Sequence, residues 1–526
     1  MIPVLTKEEA CKLDKDTIES GHLSQEELMD NAGKAVAQFF CEKIDNPFNQ
    51  KVVVVCGKGN NGGDGVIAYS YLKKYNVSSE IVFTEDKHGH SKLLKKYKVS
   101  KTEYSIYDDK TKFDKYDWII DAIFGIGLSR YLNDKYETIV ENLNQNKNII
   151  SIDINSGLSS NTDEYKCYVN SKHVITFGYP KLGHYLNSIN NLQIVNIGFK
   201  DIENSNICKI EINDIFKIIK SFNLNKDIHK YLKRCQIYAG SNAYPGAAIL
   251  SARAAKKTGS GYVNLFVDCD KNLLNNLDVQ LPEVVVKHSE LIPGAPNSEN
   301  EQCWLIGPGG TTLASFNDVH PYYYGLRAEP WVKFVIDASA ITHISQNLDD
   351  YSKVSEDPAG CSFVNIDELK SPFELIPPGS IMTPHLGEFK KFFQIAEHEP
   401  ITSSVLNNIQ SIIKETHKID MDSSSLNIVI LKSFNTFIIT KKQIYIMDKG
   451  PSILATAGTG DVLSGILVSL LSQGYTRLQA SILGTYLHAE AANYYMDNIS
   501  KDGMTASDLI DCIPFAFNKL REQSVN

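Results

Sequence analysis

The sequence predicts an α/β protein of two successive domains, the first with a doubly wound pattern and the second again alternating strands with helices. Three observations predict it. Short apolar runs alternate with segments of helical spacing in both halves. Polar, glycine-bearing loops follow several of those runs at once. The 526 residues exceed one ordinary domain and suit two or three.

Taken in order, Gln25–Phe40 has helical spacing. Lys51–Cys56 (Lys-Val-Val-Val-Val-Cys), Tyr116–Ile120 and Asn148–Ile152 are short apolar runs fit for buried parallel strands. Gln193–Gly198 reads as the last strand of the first domain, and a polar stretch follows from Lys200 to Asn206. The boundary is placed near residue 222, giving domains 1–222 and 223–526. The second half starts with a strand at Cys235–Tyr238. It continues through Tyr262–Val267, Trp304–Ile306, Phe334–Ile336, Ile428–Leu431 and Thr436–Ile439, and ends in a helical run past His488. Segments near 287–302, 312–330 and 345–372 are polar or irregular and read as loops.

The totals narrow the function. Hydrophobic residues make up 43% of the chain, enough for large cores. A formal charge of −9 argues against a nucleic-acid-coating surface. Ten scattered cysteines without a CxxC pair read as reduced thiols rather than a disulfide framework or zinc site. No apolar run reaches the roughly 18 residues that span a bilayer. The N-terminal residues lack a basic-then-apolar signal, so the expected location is the cytoplasm.

In the first half, three strands each run into a polar loop: Gly57–Gly65 after the first, Asp121–Arg130 after the second, Asp153–Gly157 after the third. Open α/β sheets bind ligands beyond the carboxyl ends of their strands, so three such loops converge on one crevice. Asp153 is the best-placed proton carrier at a strand end. A helix cap is the other use of an aspartate there.

These runs resemble the NAD(P)H-hydrate epimerase family: Asn60-Asn-Gly-Gly-Asp-Gly65, Asp121-x-x-x-Gly-x-Gly-Leu-Ser-Arg130 and Asp153-x-x-Ser156-Gly. The resemblance covers about residues 1–220. It implies a Rossmann-like three-layer domain that interconverts the R and S epimers of hydrated NADH and NADPH. By this resemblance Asn60, Asn61, Gly62, Gly63 and Asp64, with Gly125, Ile126, Gly127, Leu128, Ser129, Arg130 and Tyr131, hold the hydrated dinucleotide. Asp153 contacts it. Asn61, Asp121 and Ser156 supply oxygens to a potassium ion, a sensible donor type for a hard cation.

In the second half, Thr456-Ala-Gly-Thr-Gly-Asp461 opens the apolar helical run Val462–Leu471. Glycines let backbone N–H groups crowd a guest, and the helix N-terminus favours an anion. Asp461 then faces any hydroxyl that approaches the anion, which suits phosphoryl transfer to an alcohol. It is not a Walker loop, because no Lys-Ser/Thr pair follows the glycines.

With Ala239–Ala248, Ile306–Gly310, Ile336–Ser339, Thr383-Pro-His-Leu-Gly-Glu388 and Ile430–Thr436, this turn resembles the ribokinase-like NAD(P)H-hydrate dehydratase family from about 225 to 520. The resemblance implies a ribokinase-like three-layer α/β domain. Such enzymes phosphorylate the ring hydroxyl of the S hydrate with ADP or ATP and then expel phosphate to restore the dihydronicotinamide. Asp461 deprotonates the hydroxyl. The amides of Gly458, Thr459 and Gly460 stabilise the transferring charge, Gly460 also meeting the nucleotide. Ala247, Gly309 and His385 contact the hydrate. Lys432, Ser433, Phe434, Asn435 and Thr436 contact the nucleotide. Magnesium accompanies the phosphates, with Glu388 as a candidate ligand.

The chain departs from the family pattern at Ala239, Gly310, Thr311, Ser339, Ser433 and Ala457. His385 and Asp337 also have structural readings, as a loop residue and a helix cap. The resemblance further implies an assembly of two or more chains. The competing function is a kinase of a vitamin precursor, such as a hydroxymethylpyrimidine or hydroxyethylthiazole, with a scaffold-only first domain. Intact loops in the first half speak against it.

Overall fold

The computed structural model describes the whole chain apart from residues 87–88, 109, 129, 188, 190, 203–204, 221–232, 292–302, 311–331, 347–371, 417–426 and 526. The chain divides into two units. The first comprises Ile2–Ile207 with Pro400–Val405, and the second Met1, Cys208–Glu399 and Leu406–Asn526. The boundary expected at 222 falls outside the described residues. The helix Ile212–Lys220 belongs to the second unit.

The first unit is built on a seven-stranded sheet. Its strands are β1 (Lys51–Cys56), β2 (Ser78–Phe83), β3 (Tyr104–Ile106), β4 (Trp118–Ala122), β5 (Ile149–Ile152), β6 (His173–Phe177) and β7 (Leu192–Val195). Their spatial order is β3-β2-β1-β4-β5-β6-β7, with every pair parallel. This is the doubly wound order, whose switch point lies between β1 and β4.

Three layers follow from β1 itself. Val52, Val54 and Cys56 pack with Leu28, Val36 and Val66 on one face. Val53 and Val55 pack with Ile139, Val140 and Leu143 on the other. The first face is covered by helices α2 (Gln25–Lys43) and α3 (Asn60–Lys74), the second by Asp134–Leu143. An earlier helix, α1 (Lys7–Glu19), starts at a Thr6–Glu9 capping box.

The second unit holds β8 (Ile207–Lys209) from Cys208 onward, β9 (Arg234–Ser241), β10 (Tyr262–Asp268), β11 (Val285–His288), β12 (Cys303–Ile306), β13 (Lys333–Ile336), β14 (Ser380–Met382), β15 (Ile428–Lys432), β16 (Thr436–Ile439) and β17 (Ile444–Met447). They run in the order β8-β17-β16-β15-β14-β13-β12-β9-β10-β11. From β15 to β11 all neighbours are parallel, while β15-β16-β17 is an antiparallel meander. Helices α4 (Pro245–Thr258) and α5 (Thr459–Ser472) bury Ala248, Ala252, Ala255, Val462, Ile466 and Leu467 against Cys235, Ile237 and Ala239. The C-terminal helices are α6 (Arg477–Asn498) and α7 (Ala506–Val525).

Two of the segments expected to be loops are partly structured. Strand β11 runs to His288 before a 3-10 turn over Ser289–Leu291, and the helix Ser339–Gln346 extends past residue 345. In each case the regular element outlasts its apolar run by a residue or two. The expected loop at 312–330 lies outside the described residues. Among the described residues no helix is long and apolar enough to cross a membrane.

Candidate functional sites

The first site lies at the carboxyl ends of β1, β4 and β5, as strand order requires. A cavity of about 530 Å³ opens there, lined by Asn60, Asn61, Asp64, Gly125, Ile126, Gly127, Leu128 and Asp153. These eight expected residues therefore share one wall system. Gly62 and Gly63 are buried in the first turn of α3 and Arg130 and Tyr131 stand apart from the lining; Tyr131 is exposed and hydrogen-bonds Glu164. Ser129 lies outside the described residues.

Asp153 caps no helix. It follows β5 in a left-handed conformation with φ of 66°, which aspartate tolerates better than most residues. Its amide donates to the Ile175 carbonyl at 2.7 Å, and buried His184 donates through Nε2 to its own carbonyl at 2.8 Å. Burial pushes the His184 imidazole down to about 4, so the ring is neutral and Nδ1 accepts from the Lys181 amide at 3.0 Å.

The Asp153 carboxylate is thus held by a turn that two neighbours lock. The Lys181 ammonium sits 2.7 Å from Oδ1, and the Thr176 hydroxyl donates to the same oxygen at 3.1 Å. Oδ2 points toward the Gly125 loop: a Cβ added to Gly125 would stand 3.3 Å from it and 3.4 Å from the Asn61 amide oxygen. Burial opposes ionisation, yet the Lys181 charge and these hydrogen bonds hold the carboxyl below its ordinary range. Lys181 was not among the expected residues. Its role depends on the turn after β6, which no motif marks.

Beside this crevice Asp121 is fully buried at the end of β4. It accepts from Ser156 Oγ at 2.6 Å, Ser156 N at 3.0 Å, Ser151 Oγ at 2.8 Å and Ile123 N at 3.2 Å. Burial nevertheless pushes its carboxyl up. Ser156 Oγ also accepts from Phe124 N at 2.9 Å and lies 3.3 Å from the Phe124 carbonyl. Asn61 is buried, and its Nδ2 has no hydrogen-bond partner among the described residues. The donors gathered here are carboxylate, hydroxyl, carbonyl and amide oxygens, the set a hard monovalent cation takes.

The second site forms where α5 begins. Gly458 stands at the helix N-cap with φ of 88° and leaves no side-chain cap on the N-terminus. The turn is pinned from behind. Thr459 Oγ1 donates to the Leu454 and Thr456 carbonyls at 2.8 Å each, so its hydroxyl faces inward. The His488 ring, from α6, donates through Nε2 to the Thr459 carbonyl at 2.8 Å. Burial pushes His488 down to about 4, which keeps it neutral and in that role.

Asp461 lies in the first turn of α5. Burial and the Asp337 charge push its carboxyl up to about 7, with Lys432 pulling the other way. Lys432 and Asp337 form a pair at 3.0 Å, and Ser464 one turn beyond Gly460 donates to the other Asp337 oxygen. Asp337 is therefore engaged in this network rather than in capping. A Cβ on Gly460 would lie 3.3 Å from the Lys432 ammonium. Lysine, two aspartates and the helix N-terminus thus converge.

Around them the strand ends bring in the remaining expected residues. His385 pairs with Lys432 in a parallel bridge, and Lys432 N donates to the Pro384 carbonyl at 2.9 Å. The His385 Nδ1 caps the helix Leu386–Phe392 and Glu388 Oε2 accepts from the His385 amide at 2.9 Å. The loop reading of His385 does not include this cap; its side chain is largely exposed, with Nε2 3.5 Å from Glu388 Oε1. Glu388 is committed to the same capping box. Gly309 abuts Ala247, so closely that a Cβ there would fall 2.7 Å from the Ala247 Cβ. Ser433, Phe434 and Asn435 form the turn between β15 and β16, closed by Ser433 Oγ donating to the Asn435 carbonyl at 2.7 Å; Thr436 opens β16. Phe434 is exposed.

Of the departures, Ser339 donates to the Gly307 carbonyl, Ala239 is buried in β9, and Thr311 lies outside the described residues. Nothing in the structure explains Ala457.

Comparisons with known proteins bear on both units. The model of the YjeF-related protein N-terminus matches residues 25–183, and that of NAD(P)H-hydrate dehydratase matches residues 235–359 and 364–515. A bifunctional NAD(P)H-hydrate repair enzyme of Dictyoglomus turgidum is 28% identical over 552 residues, covering 98% of each chain. One of Thermofilum pendens is 27% identical over 542 residues, covering 97% of this chain and 95% of its own. Among solved structures, the ADP/ATP-dependent NAD(P)H-hydrate dehydratase of Bacillus subtilis, co-crystallised with ATP and magnesium, is 20% identical. It matches 60% of this chain and 99% of its own, with a TM-score of 0.44.

Proposed function

The chain belongs to the NAD(P)H-hydrate dehydratase family and carries an N-terminal unit of the YjeF-related type, and we propose that it repairs hydrated nicotinamide cofactors by two reactions at two sites. The observation that carries this reading is repeated in both units: a strand-end aspartate is held against a lysine beside a site for a polar ligand. The pairs are Asp153–Lys181 and Asp337–Lys432.

At the first site, R and S hydrates of NADH and NADPH interconvert. Asp153 offers Oδ2 toward the Gly125 loop while Lys181 fixes Oδ1, so the carboxylate is ionised and aimed. Asn60, Asn61, Asp64 and the Gly125–Leu128 loop enclose the hydrated ring in a cavity of ordinary ligand size. The oxygens of Asn61, Asp121, Phe124 and Ser156 fit a potassium ion, which would tie the β1, β4 and β5 loops together and neutralise the buried Asp121 charge. Asp121→Ala is accordingly expected to abolish the response of epimerisation to potassium while dehydration in the same chain continues. Titrating potassium against epimerisation rate checks this, and an unchanged ion response would remove the assignment.

At the second site, the S hydrate is phosphorylated and then dehydrated. Asp461 accepts the ring hydroxyl's proton as that oxygen attacks the terminal phosphorus of ADP or ATP. The N-terminus of α5 and Lys432 balance the charge that develops on the transferring group. The ring nitrogen's lone pair then expels phosphate, and loss of the neighbouring carbon's proton restores the dihydronicotinamide. Magnesium, carried on the nucleotide's phosphates next to Asp337 and Asp461, would screen their charge. His385, Gly309 and Ala247 border the hydrate, and Lys432–Thr436 the nucleotide.

Adding ADP or ATP to the protein with hydrated NADPH should restore the dihydronicotinamide absorbance and release phosphate. No recovery with either nucleotide would overturn the reading.

A further inference from the structure

Besides Asp153 and Asp64, the first cavity has a third carboxylate, one that no motif marks. Asp14, on α1, lines it together with Asp153, Lys181, Asn61 and Gly125. It lies upstream of residues 25–183, where the match to the YjeF-related model begins. Resting on the epimerase reading of this cavity, we propose that Asp14 is its general acid, working opposite Asp153 as the base.

Inverting the carbon that bears the hydroxyl, C6, requires two protons to move at different atoms. Asp153 takes the hydroxyl proton. The oxygen's electron pair closes to a carbonyl as the C6–N1 bond breaks, and the pair left on N1 takes a proton from Asp14. The planar aldehyde carbon turns about the C5–C6 bond and shows its other face. N1 then re-forms its bond to C6 while Asp14 recovers its proton and Asp153 returns the other to the new hydroxyl oxygen. Nothing is consumed, and no further reactant is needed. One carboxyl group cannot serve both atoms in one step.

The surroundings of the two aspartates set these roles. Asp153 is largely buried and carries the Lys181 ammonium at 2.7 Å, which holds it as a carboxylate. Asp14 reaches solvent in the crevice, but the protein around it and the Asp153 charge push its carboxyl up to about 6, with Lys181 acting in the opposite sense. Asp64 on α3 and Cys11 on α1 also face this group, and Asp64 is itself raised by burial and by the Asp153 and Asp14 charges. Two carboxyls driven apart in this way are how acid and base are divided between like residues.

The test uses the full-length chain and purified R hydrate of NADPH without nucleotide, following the S form by chromatography on either side of pH 6, with the uncatalysed rate subtracted. Since Asp14 must be protonated, kcat/KM should fall as pH rises through about 6. Asp14→Asn should lose about 10²-fold in kcat and lose that alkaline limb, with KM little changed. Asp14→Glu should retain activity with the limb displaced. A wild-type rate and limb in Asp14→Asn would overturn the acid role while leaving the epimerase reading standing. A wild-type chain that leaves the R hydrate untouched would remove both. If Asp14→Asn does not fold, Asp14→Glu decides: a displaced limb supports the role and an unmoved limb overturns it.

Discussion

Asp461→Asn is expected to lower dehydration of the S hydrate by at least about 10² while R and S hydrates still interconvert. The asparagine keeps the size of the side chain but cannot accept the hydroxyl's proton. The N-terminus of α5, Lys432 and the His488 brace on the turn remain, so nucleotide binding should persist. The wild-type profile carries a second signature. Asp461 acts as a carboxylate and its carboxyl is pushed up to about 7, so dehydration should fall as pH drops through that value. The variant should lose this acid limb. Nucleotide-dependent rates across neutral pH check both points, and near-normal dehydration in the variant would remove Asp461 from the mechanism.

Asp153→Ala is expected to have the mirror effect, a loss of about 10² or more in epimerisation with dehydration of the S hydrate unchanged. The alanine removes the aimed oxygen and leaves the Lys181 ammonium without its partner at 2.7 Å. Lys181→Met should lower epimerisation as well, because the carboxylate then loses the charge that holds it ionised. The two variants differ in their pH response. With Lys181 gone, Asp153 needs a higher pH to ionise, so epimerisation should recover as pH rises; Asp153→Ala should show no such recovery.

Much of this was legible in the sequence where burial leaves a local mark. Val52–Cys56 reads as a strand because both faces are covered, which makes the run continuously apolar. Ser78–Phe83 pairs beside it but begins Ser-Ser-Glu at the exposed end, so its apolar part is too short to stand out. Ser380–Met382 is short in the same way.

At the candidate sites, the glycine-bearing loops and Asp461 stand out in the sequence because a loop that lets a ligand approach the backbone closely needs glycine. Lys181 was not, since its closeness to Asp153 depends on the left-handed turn after β5 and the path of β6. Nor was His488, whose ring reaches Thr459 only once α6 packs beside α5. Asp14 lies among Lys12, Lys15 and Asp16, where nothing in the local sequence singles it out.

The central claim is that one chain carries both activities. The most direct measurement follows the R and S hydrates of NADPH separately by chromatography after ADP or ATP is added to the full-length protein. Both epimers should disappear into NADPH. In Asp153→Ala, only S should be consumed quickly, with R declining at its spontaneous rate. If the wild-type chain left R at that spontaneous rate while consuming S, the first site would not be an epimerase and the account of a two-site repair enzyme would be contradicted.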